Sequence, residues 1–324
     1  MESVQIDRYG DASCLSVRSV EPAAPGPSEV RVRVRAASVN AADLHMLHGT
    51  PLPLRLAVGF SRPHRIRGFG ADVAGVVESV GAQVTRLRVG DEVFGDLSGC
   101  GFGAASTLVT APESALVHKP RRLTFEQAAA VPMAAATALN GLCGVAGLAQ
   151  GQRLLVVGAT GGVGSFAMQL GASMGAEVTA LARAEKRAAL EALEVGRVVD
   201  SEALGRGELG TFDVVLDAAA FGSPFAYRAH LVPGGVYVLA GGSFGALLTV
   251  GLFGGLARLV TGRRFRTYVS TPKVEDLETL ARLCDEGRLR PLVDRVFPLR
   301  EAAAAVARLE RREAVGKVVL SVEG

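Results

Sequence analysis

The stretch from Leu154 to Gly164, Leu-Leu-Val-Val-Gly-Ala-Thr-Gly-Gly-Val-Gly, carries residue types that could grip an anion. Ala159, Gly161 and Gly164 stand at the spacing of a Gly-x-Gly-x-x-Gly fingerprint, with alanine in the first place. Residues this small permit a tight turn, close approach of backbone to a pyrophosphate, and close packing of helix on strand. The amides of the new helix would then face the phosphates, so Thr160, Gly161, Gly162 and Val163 are the expected dinucleotide contacts. The plainer alternative is a structural glycine turn.

The next strand, Val178 to Ala182, ends at Arg183, with Lys186 close behind. An acid at that place would accept a ribose 2′-hydroxyl and select NAD. Glu177 precedes the strand and Glu185 lies past its end, whereas the Arg183 guanidinium offers paired donors to a 2′-phosphate. These residues favour NADPH; the alternative is a solvated basic helix start. A second group, Asn40, Asp43 and His45, falls in the short helical stretch Asn40 to Gly49. They are candidates for lining a substrate cleft, although Asn40 equally suits a helix cap and Asp43 a structural role.

Two kinds of architecture must position these groups. Residues 1–122 alternate like strands: Val30, Val32 and Val34 share one face, with Arg31, Arg33 and Arg35 on the other. Ala71 to Val80 and Asp91 to Phe94 continue the pattern around a turn at Gly81, which predicts an antiparallel β domain, a small barrel. From Leu123 strands and helices alternate. A helix from Phe125 to Ala138, interrupted at Pro132, precedes the fingerprint unit. Strands follow at Glu177 to Ala182, Arg197 to Val199, Asp213 to Ala218 and Val236 to Ala240, with a helix from Ala184 to Leu193. Such repeats imply a parallel sheet covered on both faces, an α/β fold. A strand at Phe265 to Ser270, helices at Val274 to Glu286 and Arg300 to Glu310, and strands at Leu292 to Phe297 and Lys317 to Val322 close the chain.

The totals agree with this picture. At 324 residues there is room for two domains, and 49% hydrophobic residues without tryptophan supply an aliphatic core. A net charge of +3 gives no reason to expect nucleic acid. Cys14, Cys100, Cys143 and Cys284 are scattered, which suggests a reducing compartment and buried thiols. Glu2, Asp7 and Arg8 break up any early apolar run, so a cytoplasmic protein is expected. Leu231 to Ala257 holds no charge, but Pro233 and several glycines argue against a membrane span. Phe244 to Leu259 is expected to be an apolar loop and helix over a substrate pocket or a subunit interface.

Five stretches together resemble the medium-chain dehydrogenase/reductase superfamily, in its zinc-independent quinone oxidoreductase-like branch. They are Ala37 to Asp43, Gly70 to Gly81, Arg88 to Gly95, Ala159 to Gly164 and Gly316 to Leu320. The resemblance implies a GroES-like catalytic β-barrel from residues 1–122 and 266–324, and a Rossmann doubly wound parallel sheet at 123–265. It also implies an active site in the cleft and a homodimer. By the same resemblance Asn40 matches an active-site asparagine and Thr137 a residue near the nicotinamide. Gly241 and Ser243 follow a strand near that ring, and Lys317 is a cofactor contact. Zinc enzymes of the superfamily carry a cysteine where Val39-Asn40 stand and a His-Glu pair where Phe69-Gly70 stand, so no metal is expected. His45, His48, His64 and Asp72 make no substitute set. Without a Lewis acid, the feasible acceptors are those whose own conjugation spreads the incoming charge. The expected reaction is hydride transfer from NADPH to a quinone or α,β-unsaturated carbonyl. The alternatives are a biosynthetic double-bond reductase of one large apolar metabolite, and a non-catalytic NADPH-binding protein docked on a membrane through 244–266. Related enoyl reductases place a tyrosine just after the short helix, and Gly49 to Pro53 has none.

Overall fold

The structure, a computed structural model, describes residues 1–206, 209–220, 222–242, 244–271 and 273–322. Contacts divide the chain into two units: Met1–Met133 with Pro272–Gly287 and Pro291–Gly324, and Ala134–Thr271 with Arg288–Arg290.

In chain order the first unit begins with β1 (Glu2–Ile6), β2 (Leu15–Ser19), β3 (Glu29–Val39), α1 (Ala41–His48) and α2 (Leu52–Val58). It continues with β4 (Asp72–Val80), β5 (Glu92–Asp96), β6 (Leu108–Pro112), β7 (Leu116–His118) and α3 (Phe125–Ala129). The alternation along β3 does what the pattern dictates. Val30, Val32 and Val34 are buried, while Arg31 and Arg33 reach Glu78 of β4 at 2.8 Å each. Beyond a register shift between Val34 and Ala36, Ala36 to Val39 are all buried, so polar side chains at this end of the strand need partners inside the protein. Phe125 packs beneath the cations of Arg35, 5.8 Å from its ring, and Lys119, 5.2 Å away, which ties α3 to the first unit.

The second unit takes up α4 (Pro132–Leu139) from Ala134 on, and a π-helical turn at Asn140–Ala146 follows. Then come β8 (Arg153–Val157), α5 (Gly162–Ser173), β9 (Glu177–Ala182), α6 (Arg187–Glu191), β10 (Arg197–Asp200) and α7 (Ala203–Arg206). β11 (Phe212–Asp217), β12 (Leu231–Leu239), α8 (Phe244–Thr261) and β13 (Arg264–Thr267) complete it. Its six strands run parallel in the order β10-β9-β8-β11-β12-β13, which is third, second, first, fourth, fifth and sixth by appearance. This is the doubly wound arrangement, with its reversal of strand order between β8 and β11. The first unit is completed by α9 (Val274–Asp285), β14 (Val293–Pro298), α10 (Ala302–Glu310) and β15 (Lys317–Ser321). Its main sheet has seven strands, β14-β15-β3-β4-β5-β7 with β6 paired to β3, and β1 and β2 form a separate hairpin.

Some segments differ from the reading of the sequence. The apolar stretch after β12 is one continuous helix of 18 residues rather than loop and helix, because its glycines lie where the helix packs or faces outward. The strand expected at 265–270 is Arg264–Thr267 and pairs with β12 as the edge of the parallel sheet. The hairpin β1–β2 and helix α2 are short, and no periodic run announces them.

Helix α5 lies unusually close to the turn after β8: a Cβ on Gly164 would stand 2.2 Å from the Gly158 carbonyl oxygen. Gly251, on α8, has nothing within 4 Å of its Cβ position. Gly164→Ala is therefore expected to cost about 2–3 kcal/mol of stability, whereas Gly251→Ala should be neutral or gain up to about 1 kcal/mol from helix propensity. Urea unfolding of both variants checks this, and equal shifts would contradict the packing described.

Candidate active site

The glycine turn follows β8 at the reversal of strand order, where open α/β sheets bind their ligands. The left-handed residue is Gly158, at φ +73°, not Ala159, which is fully buried. The tight-turn demand is thus met one residue earlier than the spacing implies. Gly161 is the N-cap of α5 at φ −85°, a backbone any residue adopts, and no side chain caps the helix. A Cβ on Gly161 would meet only the Gly158 carbonyl oxygen, at 3.4 Å. Fold packing therefore leaves space beside Gly161, while the first amides of α5, Gly162 and Val163 among them, have no acceptor within the helix. Space of backbone width, orphan N–H groups and a positive helix end together fit a dinucleotide pyrophosphate.

The turn opposite is held by a buried acid. Asp217, the last residue of β11, accepts from the amides of Ala219 at 2.9 Å and Ala220 at 2.8 Å. Its second oxygen accepts from the Tyr237 hydroxyl at 2.8 Å, and burial raises its pKa despite these donors. Ala220 is held at φ +52°, and a Cβ on Gly158 would lie 2.7 Å from the Ala219 side chain. Both turns at the reversal point are thereby locked against each other. Their signal in the sequence is a carboxylate at the end of an otherwise apolar strand.

Arg183 follows β9 directly, and its guanidinium is exposed and paired with Glu185 at 3.3 Å. Such a surface pair contributes roughly 0–1 kcal/mol, so the guanidinium can be drawn to a stronger anion. Lys186 closes the same short turn. Gly241 lies just past β12 at φ +102°, exposed, with open space around its Cβ position. Ser243 lies outside the described residues. Thr137 is half-buried on α4, and its carbonyl accepts from the hydroxyl of Tyr268, which no local pattern places there.

In the first unit, the polar ends of four neighbouring strands come together. Asp72 on β4 pairs with Ser38 on β3 and with Asp96 on β5. Lys317 opens β15, whose Val318 pairs with Val39, so Lys317 comes level with Asn40. Asp72 is fully buried, and its Oδ2 accepts from Ser38 Oγ at 2.9 Å, Asn40 Nδ2 at 3.0 Å and Lys317 Nζ at 3.2 Å. Its Oδ1 accepts from the Met133 amide at 2.9 Å. Lys317 also donates to Asn40 Oδ1. Asn40 occupies the N-cap position of α1, yet its side chain serves Asp72 and Lys317 instead of the helix. The cap is made in reverse, by Asp43, whose Oδ2 accepts from the Asn40 amide at 2.7 Å. Lys317, expected among the cofactor contacts, is buried and its ammonium is committed inside this cluster. The cause is plain: a buried carboxylate needs a cation. His45 stands apart, half-buried, its pKa lowered by burial. The loop after α1 has a tyrosine against it, contributed by another part of the chain. A Cβ on Gly49 would lie 2.5 Å from the Tyr9 ring, but the Tyr9 hydroxyl donates to the Gly59 carbonyl.

Three buried carboxylates thus share one ammonium. Asp43 Oδ1 and Asp96 Oδ2 lack partners among the described residues. Burial, with the charges of Asp72 and Asp96 added, pushes the Asp43 pKa up to about 8. Burial and the adjacent Asp72 charge raise that of Asp96 as well. At neutral pH Asp43 is therefore protonated, which relieves the like-charge conflict. Because the folded value exceeds the ordinary 3.8, stability from this group falls as pH climbs from about 4 through about 8. Asp43→Asn keeps the acceptor and removes the titration. Its unfolding free energy, relative to the native protein, should rise with pH by up to about 1.4 kcal/mol per unit between pH 5 and 8. Denaturant titrations across that range check it, and parallel pH curves would contradict a protonated Asp43.

Two family models match the chain: the alcohol dehydrogenase GroES-like domain over residues 26–121 and the zinc-binding dehydrogenase model over 191–320. A mitochondrial NAD(P)H oxidoreductase of Mus musculus is 32% identical, covering 98% of this chain and 88% of that protein. A quinone oxidoreductase of Pseudomonas aeruginosa is 33% identical over 98% of both. Among solved structures, the quinone oxidoreductase from Coxiella burnetii aligns with a TM-score of 0.88 at 26% identity, covering 100% of this chain and 99% of that one. The CurK enoyl reductase aligns at 0.84 and 26% identity over 99% of each. The zinc in the second model's description finds no matching donors: among the described residues no three His, Cys, Asp or Glu side chains are grouped to hold a metal ion. The ammonium of Lys317 already balances the most heavily bonded carboxylate. On fold, motifs and relatives together, the chain belongs to the medium-chain dehydrogenase/reductase superfamily, in its quinone oxidoreductase-like branch.

Proposed function

We propose that this chain is an NADPH-dependent oxidoreductase that reduces a quinone or an α,β-unsaturated carbonyl compound without a metal ion. The observation that carries the reading is the uncapped start of α5 beside the open Gly161 position at the reversal of strand order, with Arg183 closing the next strand. The relatives named NAD(P)H oxidoreductase and quinone oxidoreductase, and the CurK enoyl reductase structure, support the reaction class. The second unit is the nucleotide-binding one and the first the acceptor-binding one. A homodimer fits the resemblance.

When bound, the nicotinamide supplies a hydride. The amides of Gly162 and Val163 receive the pyrophosphate, Thr160 and Gly161 bound its path, and Arg183 with Lys186 receive the 2′-phosphate. Thr137 and Gly241 belong to the nicotinamide end of the same unit. In the first unit Asn40 is held from both sides: Lys317 fixes its carbonyl oxygen and Asp72 takes one of its two amide hydrogens. We assign the second hydrogen to an acceptor oxygen of the substrate, where it would stabilise charge that develops there. Asp43, protonated and capping α1, positions Asn40 rather than moving a proton itself. The proton that completes reduction comes from water.

Steady-state oxidation of NADPH with a panel of quinones and enones tests the activity, and no turnover with any conjugated acceptor would sink it. Arg183→Asp is expected to narrow the preference for NADPH over NADH by about 10–100-fold, the worth of a charge-assisted hydrogen bond. A preference that does not move would mean that another residue reads the phosphate.

A further inference from the structure

A change of helical period sits beside Thr137. Helix α4 ends at Leu139, and the chain continues as the π-helical turn Asn140–Ala146. Such turns are frequent at functional sites, and a side chain inserted into the hydrogen-bond ladder is one way to interrupt a helix. Tyr268 stands at this break. Its hydroxyl donates to the Thr137 carbonyl, and the Gly141 amide faces the same oxygen. These two backbone groups, four residues apart, are the ones that an unbroken α-helix bonds to each other. A Cβ on Gly141 would lie 2.5 Å from the Tyr268 hydroxyl and 2.8 Å from Leu216 Cδ1, so glycine is what admits the tyrosine. Burial raises the Tyr268 pKa, which keeps the hydroxyl protonated and a donor. Asn140 Nδ2 donates to Ser270 Oγ at 3.1 Å, a second tie between the same two segments.

Tyr268 directly follows β13, whose Thr267 pairs with Leu239 at the end of β12 and donates to its carbonyl at 3.2 Å. All six strands are parallel, so this end of β13 lies on the same carboxyl edge as the turns after β8 and β11. Ligands of open α/β sheets bind at that edge. The proposed cofactor has its pyrophosphate at the start of α5 and its 2′-phosphate at Arg183, beyond β9. Its other half therefore extends the opposite way along the edge, toward β11, β12 and β13. Tyr268, and Thr137 bonded to it, stand on that side. Among the described residues the Thr137 hydroxyl has no hydrogen-bond partner, yet it is not a buried orphan, so it stays open to a ligand.

We infer that Tyr268 is a positioning residue for the nicotinamide end of the site: its hydroxyl holds the Thr137 carbonyl and so fixes the Thr137 hydroxyl against the carboxamide of the ring. The inference rests on the NADPH reading above and adds to it a residue that acts only through its neighbour. The pyrophosphate and 2′-phosphate contacts belong to α5 and to the end of β9, so the clasp acts on the nicotinamide half alone.

Titration calorimetry of the full chain with NADPH, and with 2′-phospho-ADP-ribose, the same nucleotide without its nicotinamide, tests this. The native chain is expected to bind NADPH more tightly than the fragment. Tyr268→Phe removes only the hydroxyl; it should narrow that difference by about five- to tenfold, the worth of one hydrogen bond, and leave the Kd of the fragment unchanged. Thr137→Val should narrow it similarly. Because Tyr268 acts through Thr137, the double variant should lose no more than the larger single loss. Should Tyr268→Phe fail to fold, Gly141→Ala, whose methyl displaces the hydroxyl, carries the same expectation. Native affinities that do not differ, a difference that Tyr268→Phe leaves intact, or losses that add in the double variant would each overturn the inference. So would equal weakening of both nucleotides, the mark of a tyrosine that serves the fold alone. A native chain that binds neither nucleotide would sink the NADPH reading together with this one, whereas native binding of both with an inert Tyr268→Phe sinks this one only.

Discussion

Gly164 lies so near the Gly158 carbonyl that no side chain fits between them, and this approach governs the second unit. It seats α5 directly on the turn after β8, so the start of the helix opens at the reversal of strand order. The same closeness leaves Gly161 bordering free space and the first helix amides unclaimed. Asp217 and Tyr237 hold the neighbouring turn against Gly158 from the other side. Packing and ligand recognition are therefore one constraint here: the glycine that lets helix meet strand also sets where an anion can come in.

The first unit solves a different problem, a carboxylate placed where water does not reach. Asp72 can stay in the sheet because hydroxyl, carboxamide, ammonium and amide donors all converge on it. Charge-assisted bonds of this kind make a buried pair tolerable but not free of cost, and removing either partner strands the other. Asp43 and Asp96, with one oxygen each unpartnered, share the same low-dielectric space, and protonation of Asp43 limits the repulsion. One result is a single orientation for the Asn40 carboxamide, fixed at both its oxygen and its nitrogen.

Much of this was legible in the sequence where the signal is local. The glycine turn, the strands after it and the short helix from Asn40 follow from spacing and period, as do α9, α10 and β15. The alternating valines of β3 mark its buried face. What local patterns do not carry is register. Lys317 and Asn40 are 277 residues apart in sequence, and only the pairing of β15 with β3 brings them together. The members of the polar cluster are therefore scattered along the chain, and no local pattern joins Asp72 to Lys317, 245 residues away. Spacing alone also does not locate the left-handed turn residue: Ala159 fits the fingerprint, while Gly158 takes the left-handed backbone. Tyr268 beside Thr137 likewise depends on a contact across 131 residues. The apolar segment after β12 was visible as composition, but its outward face emerges only once the helix is continuous.

A crystal structure of the chain grown with NADPH tests the central claim most directly. The account predicts pyrophosphate oxygens accepting from the amides of Gly162 and Val163, with Arg183 turned from Glu185 to the 2′-phosphate. Nucleotide bound away from the α5 start, or a 2′-phosphate facing solvent while Arg183 stays on Glu185, would contradict it.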